Sequence, residues 1–122
     1  MDEAWAPPVG PDLDTLVAER AMGWRRRQPG ERSQFSWPWF DPDGEEAIRV
    51  PRFSTDIDAA WRVFKWLIET EGIASIHGDM EDYGREKGDI VTVRAGINRE
   101  RSWTGPASEA ICRLALWVAL NR

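Results

Sequence analysis

The sequence predicts an α/β (α+β) sandwich: an antiparallel sheet of about four to five strands covered by three helices, in the order α-β-β-α-β-β-α. Three observations carry this expectation. Three segments repeat apolar residues at helical spacing. Between them lie runs that alternate or are rich in β-branched and aromatic residues. Turn-forming clusters, DPDG (41–44) and GDMEDYGREKG (78–88), join those runs in pairs, as hairpin loops do. A chain of 122 residues with 42% hydrophobic and 30% charged content is globular and fits one domain. Residues 1–11, with Pro7, Pro8 and Pro11, read as a loose arm ahead of a single domain over 12–122.

The first helix is expected over 12–22, with Asp12 as N-cap, Leu13, Leu16, Val17 and Ala21 on one side, and Gly23 as C-cap. RRRQPGER (25–32) follows as a polar connector. Next comes QFSWPWF (34–40), joined through DPDG to EEAIRVPRF (45–53). If Asp41 to Gly44 form the loop, Phe40 faces Glu45, Trp39 faces Glu46, Trp37 faces Ile48 and Phe35 faces Val50. Phe35, Trp37, Ile48 and Val50 then share a core face. Pro38 cannot donate to a ladder, so it marks an edge.

The clearest helix spans 54–72, opened by Thr55 with Asp58 as a capping box and closed by Gly72. Ile57, Trp61, Phe64 and Ile68, widened by Ala60 and Leu67, form its expected inner stripe. Trp66 falls on the opposite side and should be exposed or cover a second partner. IASIH (73–77) and DIVTVRAGI (89–97) read as strands, and a short strand is expected around Trp103. The last helix, 106–122, starts with Pro106 in its first turn, with Ile111, Leu114, Ala115 and Val118 inward. Apolar residues extend nearly all round it, which predicts burial on two sides.

Three of these segments, in order and spacing, resemble the phage ABA-sandwich domain family, small proteins encoded by bacteriophages and prophages. They are LDTLVAERAMGW (Leu16, Val17, Ala18, Glu19, Met22, Gly23, Trp24), PRFSTDIDAAW (Ser54, Thr55, Asp56, Ile57, Ala59, Ala60, Trp61) and GPASEAICRLAL (Pro106, Glu109, Ala110, Ile111, Cys112, Arg113, Ala115). The resemblance implies a helix–sheet–helix sandwich and a phage or prophage origin, and it transfers no catalytic activity or cofactor. The chain departs from the family in its later hairpin, which is aliphatic with an acidic loop where the family often carries aromatics.

The net charge of −5 argues against a duplex nucleic-acid binder, and neither half of the chain is basic. Residues 1–60 hold 7 basic and 12 acidic side chains; residues 61–122 hold 9 of each. One Cys permits no intrachain disulfide and fits a reducing, cytoplasmic setting. No apolar run reaches the roughly 20 residues of a membrane span. His77 has Asp79, Glu81 and Asp82 nearby, but a loop of mixed charge does not specify the converging ligands of a metal site. Cys112 sits mid-helix among apolar residues and reads as a small core residue rather than a nucleophile. No phosphate loop, nucleophile elbow or zinc-protease motif is present, so neither an enzyme nor a cofactor is expected. RRRQPGER could hold phosphate, although a run paired with local acids is the commoner case.

The suggestive feature is an excess of Trp, 8 in all, and of Arg, with Lys only at Lys65 and Lys87. Trp39, Trp66 and Trp103 with Arg49, Arg52, Arg62 and Arg94 are candidates to stack and fork onto a small nucleotide-like ligand, such as a host immune signal. The alternative is a protein-interaction module that inhibits or redirects a host protein. Leu116, Leu120 and Trp66, on the expected outer helix faces, are candidates for a homo-oligomer interface.

Overall fold

A computed structural model describes residues 7–32, 35–78, 90–96 and 101–121. It contains three helices and two three-stranded antiparallel sheets. The order is α1 (Pro11–Arg20), β1 (Arg25–Arg26), β2 (Trp39–Phe40), β3 (Glu46–Ala47), α2 (Ile57–Glu71), β4 (Ala74–Gly78), β5 (Ile90–Ala95), β6 (Arg101–Pro106) and α3 (Ala107–Leu120). The single sheet of four to five strands is therefore corrected to two sheets, ordered β1-β2-β3 and β4-β5-β6.

The larger sheet and α3 form the centre. Val91, Val93 and Ala95 alternate along β5 and are buried, with Ala74, Ile76 and Trp103 packed beside them from the neighbouring strands. This face lies against α3 and α2. On the opposite face His77, Arg94, Ser102 and Thr104 are exposed, and Thr92 Oγ1 and Thr104 Oγ1 share a hydrogen bond of 2.9 Å. So, among the described residues, helices cover one face of this sheet. The short strand expected around Trp103 is present as all of β6. Most of the connector 78–88, and Ile97 to Glu100, lie outside the described residues.

α3 also packs against α1 and α2. Its predicted inner residues Ile111, Leu114, Ala115 and Val118 are buried, and so are Cys112 and Leu116 on other sides. Leu116 is 0% exposed and cannot present an outer face, since α3 is packed against α1 as well as α2, β5 and β6. At the helix end Leu120 is exposed.

The helix ends differ slightly from expectation. Gly10, at φ 128, precedes α1, and Pro11 takes the first turn, leaving Asp12 and Asp14 to face the dipole's positive end. α1 stops at Arg20, with Gly23 in the turn beyond it rather than at the cap. In α2 the N-cap is Asp56, one residue past Thr55, and it accepts from the Asp58 backbone N–H at 3.0 Å. Gly72 closes α2 in the left-handed conformation, φ 83, as expected.

The 34–53 hairpin is the main correction. Phe40 pairs with Glu46 and Trp39 with Ala47, one residue away from the expected register. Asp41 causes the shift: its Oδ1 accepts from the backbone N–H of Asp43 and of Glu45, both at 2.9 Å, which widens the turn to include Glu45. The ladder stops at Trp39 and Ala47, so Phe35 and Ile48 lie beyond it and no strand alternation sets their face. Trp39, expected at an exposed tip, is buried, while Phe35 and Ile48, expected in the core, are 53% and 60% exposed. Trp37 is half-buried and stacks on Phe35 at 4.6 Å; Val50 alone of that set is buried. The pairing spans two residues per strand, with Pro38 at its boundary and Ser36 at φ 57 beyond it. β1, which the sequence reading treats as connector, supplies the third strand.

Candidate interaction site

The inner face of α2 combines two alanines with two larger aliphatic residues. Ala59, Ala60, Val63 and Leu67 are buried, with Trp66 half-buried against the core beside them. The bulkier stripe points away. Ile57, Trp61 and Ile68 are 38%, 45% and 40% exposed, and Phe64, between them, is half-buried. Trp61 and Phe64 meet edge to face, centroids 5.5 Å apart at 85°. The expected inner stripe is thus split: Ala60 and Leu67 are buried and Phe64 packs against the core, while Ile57, Trp61 and Ile68 are exposed. The opposite apolar face, signalled by Trp66 lying 180° from the stripe at 100° per residue, was the hint that one of the two must be left outside.

The spacing 57, 61, 64, 68 alternates four and three residues. That is the d-a-d-a seam of a coiled coil, which keeps one edge of a helix facing a partner helix. Along its open flank run Asp58, Arg62, Lys65 and Glu69, all exposed, with Lys65 and Glu69 at 3.9 Å.

Ile57 also lines a groove of about 440 Å³, where the N-terminal ends of α2 and α3 meet; Val9, Thr55, Pro106 and Glu109 form other parts of its wall. Hydrogen bonds far apart in sequence fix that wall. The buried carboxylate of Asp14 accepts from the Ser54 backbone N–H at 2.7 Å, and Ser54 Oγ accepts from the Gly10 N–H at 3.1 Å. Arg113, 8% exposed, donates to Glu109 at 2.6 Å and to the Pro7 carbonyl at 2.9 Å, and its guanidinium lies 5.7 Å from the centroid of the Trp103 ring. Seam and groove are therefore carried on rigid elements.

The remaining candidates are dispersed. Arg26 lies 4.5 Å over the Trp39 ring and Arg25 lies 4.3 Å over Phe40, so these cation–π pairs use ring faces within the fold. Arg101 reaches Trp117 at 5.1 Å and pairs with Glu71. Arg49 lies between β3 and α2, as does Arg52; Arg62 is on α2 and Arg94 on β5, and all four are exposed. Leu116, Leu120 and Trp66 do not form one outer surface, because Leu116 is in the core and Trp66 packs against it.

Three segments of the chain now stand together: α1 is joined to the Ser54 turn through Asp14, and α3 packs against both α1 and α2. The phage ABA sandwich domain family model matches residues 15–116, which include all of α2 and most of α1 and α3. The chain belongs to the phage ABA sandwich domain family. No curated protein and no solved structure matches it.

In this ABA sandwich, the other chemical candidates sit in ordinary surroundings. Cys112 is fully buried, and burial pushes its thiol pKa up, away from the reactive thiolate. His77 is exposed on β4; Asp79, Glu81 and Asp82 lie outside the described residues. In RRRQPGER, Arg25 grips both oxygens of Glu31, at 2.9 and 2.7 Å, and Arg26 reaches Glu19 at 3.5 Å. Hydrogen bonds from Arg25 and from the Gln28 backbone hold Glu31 down at about 2. Two of the run's arginines are thus paired with local acids, and Arg27 turns to the Glu31 carbonyl. Among the described residues no helix is long and apolar enough to cross a membrane.

Proposed function

We propose that this ABA sandwich chain is a protein-interaction module, a phage accessory protein that engages a helix of another protein through the outer seam of α2. One observation carries the reading: Ile57, Trp61, Phe64 and Ile68 share a coiled-coil edge and leave three large apolar side chains exposed. Single exposed apolar residues are ordinary, whereas an aligned row with a charged flank matches a helix-docking surface. Trp61 is the expected anchor, since Trp is enriched among the residues that dominate binding. The Ile57 groove extends the surface past the end of the helix. Inhibition or redirection of a host protein is the consequence we assign to such docking. The small-ligand reading draws less support, because Arg26 and Arg113 of the chain itself already lie against Trp39 and Trp103.

A photo-crosslinking residue placed at Arg62, beside the seam, tests this in host cells. The expected result is a covalent protein adduct that disappears with Trp61→Ser. Absence of any protein adduct, or one indifferent to Trp61→Ser, sinks the reading.

A further inference from the structure

The outer face of the β4-β5-β6 sheet holds an unmet group. Ser75 Oγ is buried and has no hydrogen-bond partner. A buried hydroxyl in that state has lost its bonds to water and gained none in return, so it calls for an explanation. Among the described residues it is the one buried side-chain polar atom in this condition.

Its surroundings supply one. Ala74 and Ile76 pack inward on β4, so Ser75 and His77 stand on the outer face. The register sets Ser75 beside Arg94 and His77 beside Thr92. Arg94 lies between the buried Val93 and Ala95 and is itself exposed. Four side chains of two adjacent strands therefore mark the corners of a rectangle, about 5 Å across the strands and 7 Å along them. Thr92 is held by Thr104 at 2.9 Å. The other three corners bring a hydroxyl, an imidazole and a guanidinium, and among the described residues none of these side chains has a hydrogen-bond or ion-pair partner. Ser102, in register on the far side of Arg94, adds another exposed hydroxyl. The described part of this face carries no carboxylate, in a chain with 21 acidic and 16 basic side chains.

The complement of such a face is an anion. A tetrahedral oxyanion above the rectangle accepts from the Ser75 hydroxyl, from a ring N–H of His77 and from the Arg94 fork together. Arg suits phosphate because its planar donors match two oxygens at once. The described part of the face holds no Trp, Tyr or Phe, so stacking of a base plays no part.

The geometry points to a phosphate site on the outer face of β4 and β5, where Ser75, His77 and Arg94 hold the phosphate group of a small phosphorylated molecule. α2 and α3 pack on the other face of the sheet, so this site is separate from the docking surface and either reading can fail alone. Three donors on an open face bind weakly, on the order of millimolar in Kd.

Nitrogen–proton correlation NMR of the full chain, with the acids of the 78–88 connector in place, tests the site. The chain is titrated with inorganic phosphate and, separately, with glycerol 3-phosphate, at constant ionic strength. The expected result is a saturable shift of the Ser75, His77 and Arg94 amides, with the ester bound at least as tightly as the free ion. Arg94→Gln should weaken binding by roughly tenfold or more. Ser75→Ala should weaken it by roughly fivefold while leaving the Tm of the free protein unchanged or raised, because it removes a hydroxyl that bonds to nothing. A lower Tm with unaltered binding would make Ser75 merely structural and overturn its role. No saturation by about 50 mM of either ligand overturns the site. So do shifts that sodium chloride reproduces, shifts centred on other residues, or binding indifferent to Arg94→Gln. Binding of the free ion with exclusion of the ester overturns the small-molecule assignment.

Discussion

α2 and α3 are nearly equal in length, 15 and 14 residues, and each carries an apolar stripe at helical spacing. They dispose of it in opposite ways. α3 lies among α1, α2, β5 and β6, and its stripe is buried together with most of its circumference. α2 meets its neighbours with alanines, Val63 and Leu67, and leaves Ile57, Trp61 and Ile68 outward. Periodicity says that a helix has a face worth covering; it does not say which molecule covers it. The bulky residues are what remains for an outside partner.

The contrast can be broken by substitution. Leu114, 2% exposed on α3, should cost about 3 kcal/mol when truncated to Ala, lowering Tm by roughly 10 °C. Trp61→Ser on α2 should change stability by less than about 0.5 kcal/mol, although it removes a larger side chain. Equal losses in thermal melts would mean that the α2 stripe is core after all. Next in size is Arg113→Met. It frees Glu109 and the Pro7 carbonyl from a nearly buried guanidinium, and should cost about 2 kcal/mol in urea unfolding. A cost near zero would show that these bonds merely replace hydration.

The smallest effect lies in the exposed Arg25–Glu31 clip. Glu31 is held from 4.5 down to about 2. Because the folded value is the lower one, the clip's contribution is complete above 4.5 and is lost as pH falls toward 2. Carboxyl carbon shifts of Glu31 by NMR should titrate near 2; a midpoint near 4.5 would mean the clip is open in solution.

Much of the architecture was legible in the sequence where local signals and burial agree. Gly72 had to end α2 because the left-handed conformation suits glycine. Ile111, Leu114, Ala115 and Val118 faced inward because helix α3 is buried around most of its circumference. The three family-like segments were legible for a related reason: their helices pack on one another, and Asp14 bonds the Ser54 turn. What failed depended on a single atom or a distant neighbour. Asp41 Oδ1, binding two backbone N–H groups, moved the hairpin by one residue, and the two-residue ladder left Phe35 and Ile48 beyond it and exposed. The fate of Trp39 and Trp103 turned on Arg26 and Arg113, cations the sequence offered among many. The seam itself was found as a stripe, and its direction was missed because two apolar faces compete on α2.

Cys112 gives the protein a built-in clock. It is the only thiol in the chain, and it sits at the fully buried centre of α3. An alkylating reagent can reach it only when the helices around α3 part. Labelling followed by intact mass therefore counts openings of the domain's centre and ignores fraying at its rim. The rate, measured with and without a bound partner, would show whether association at α2 slows the opening of the centre of α3.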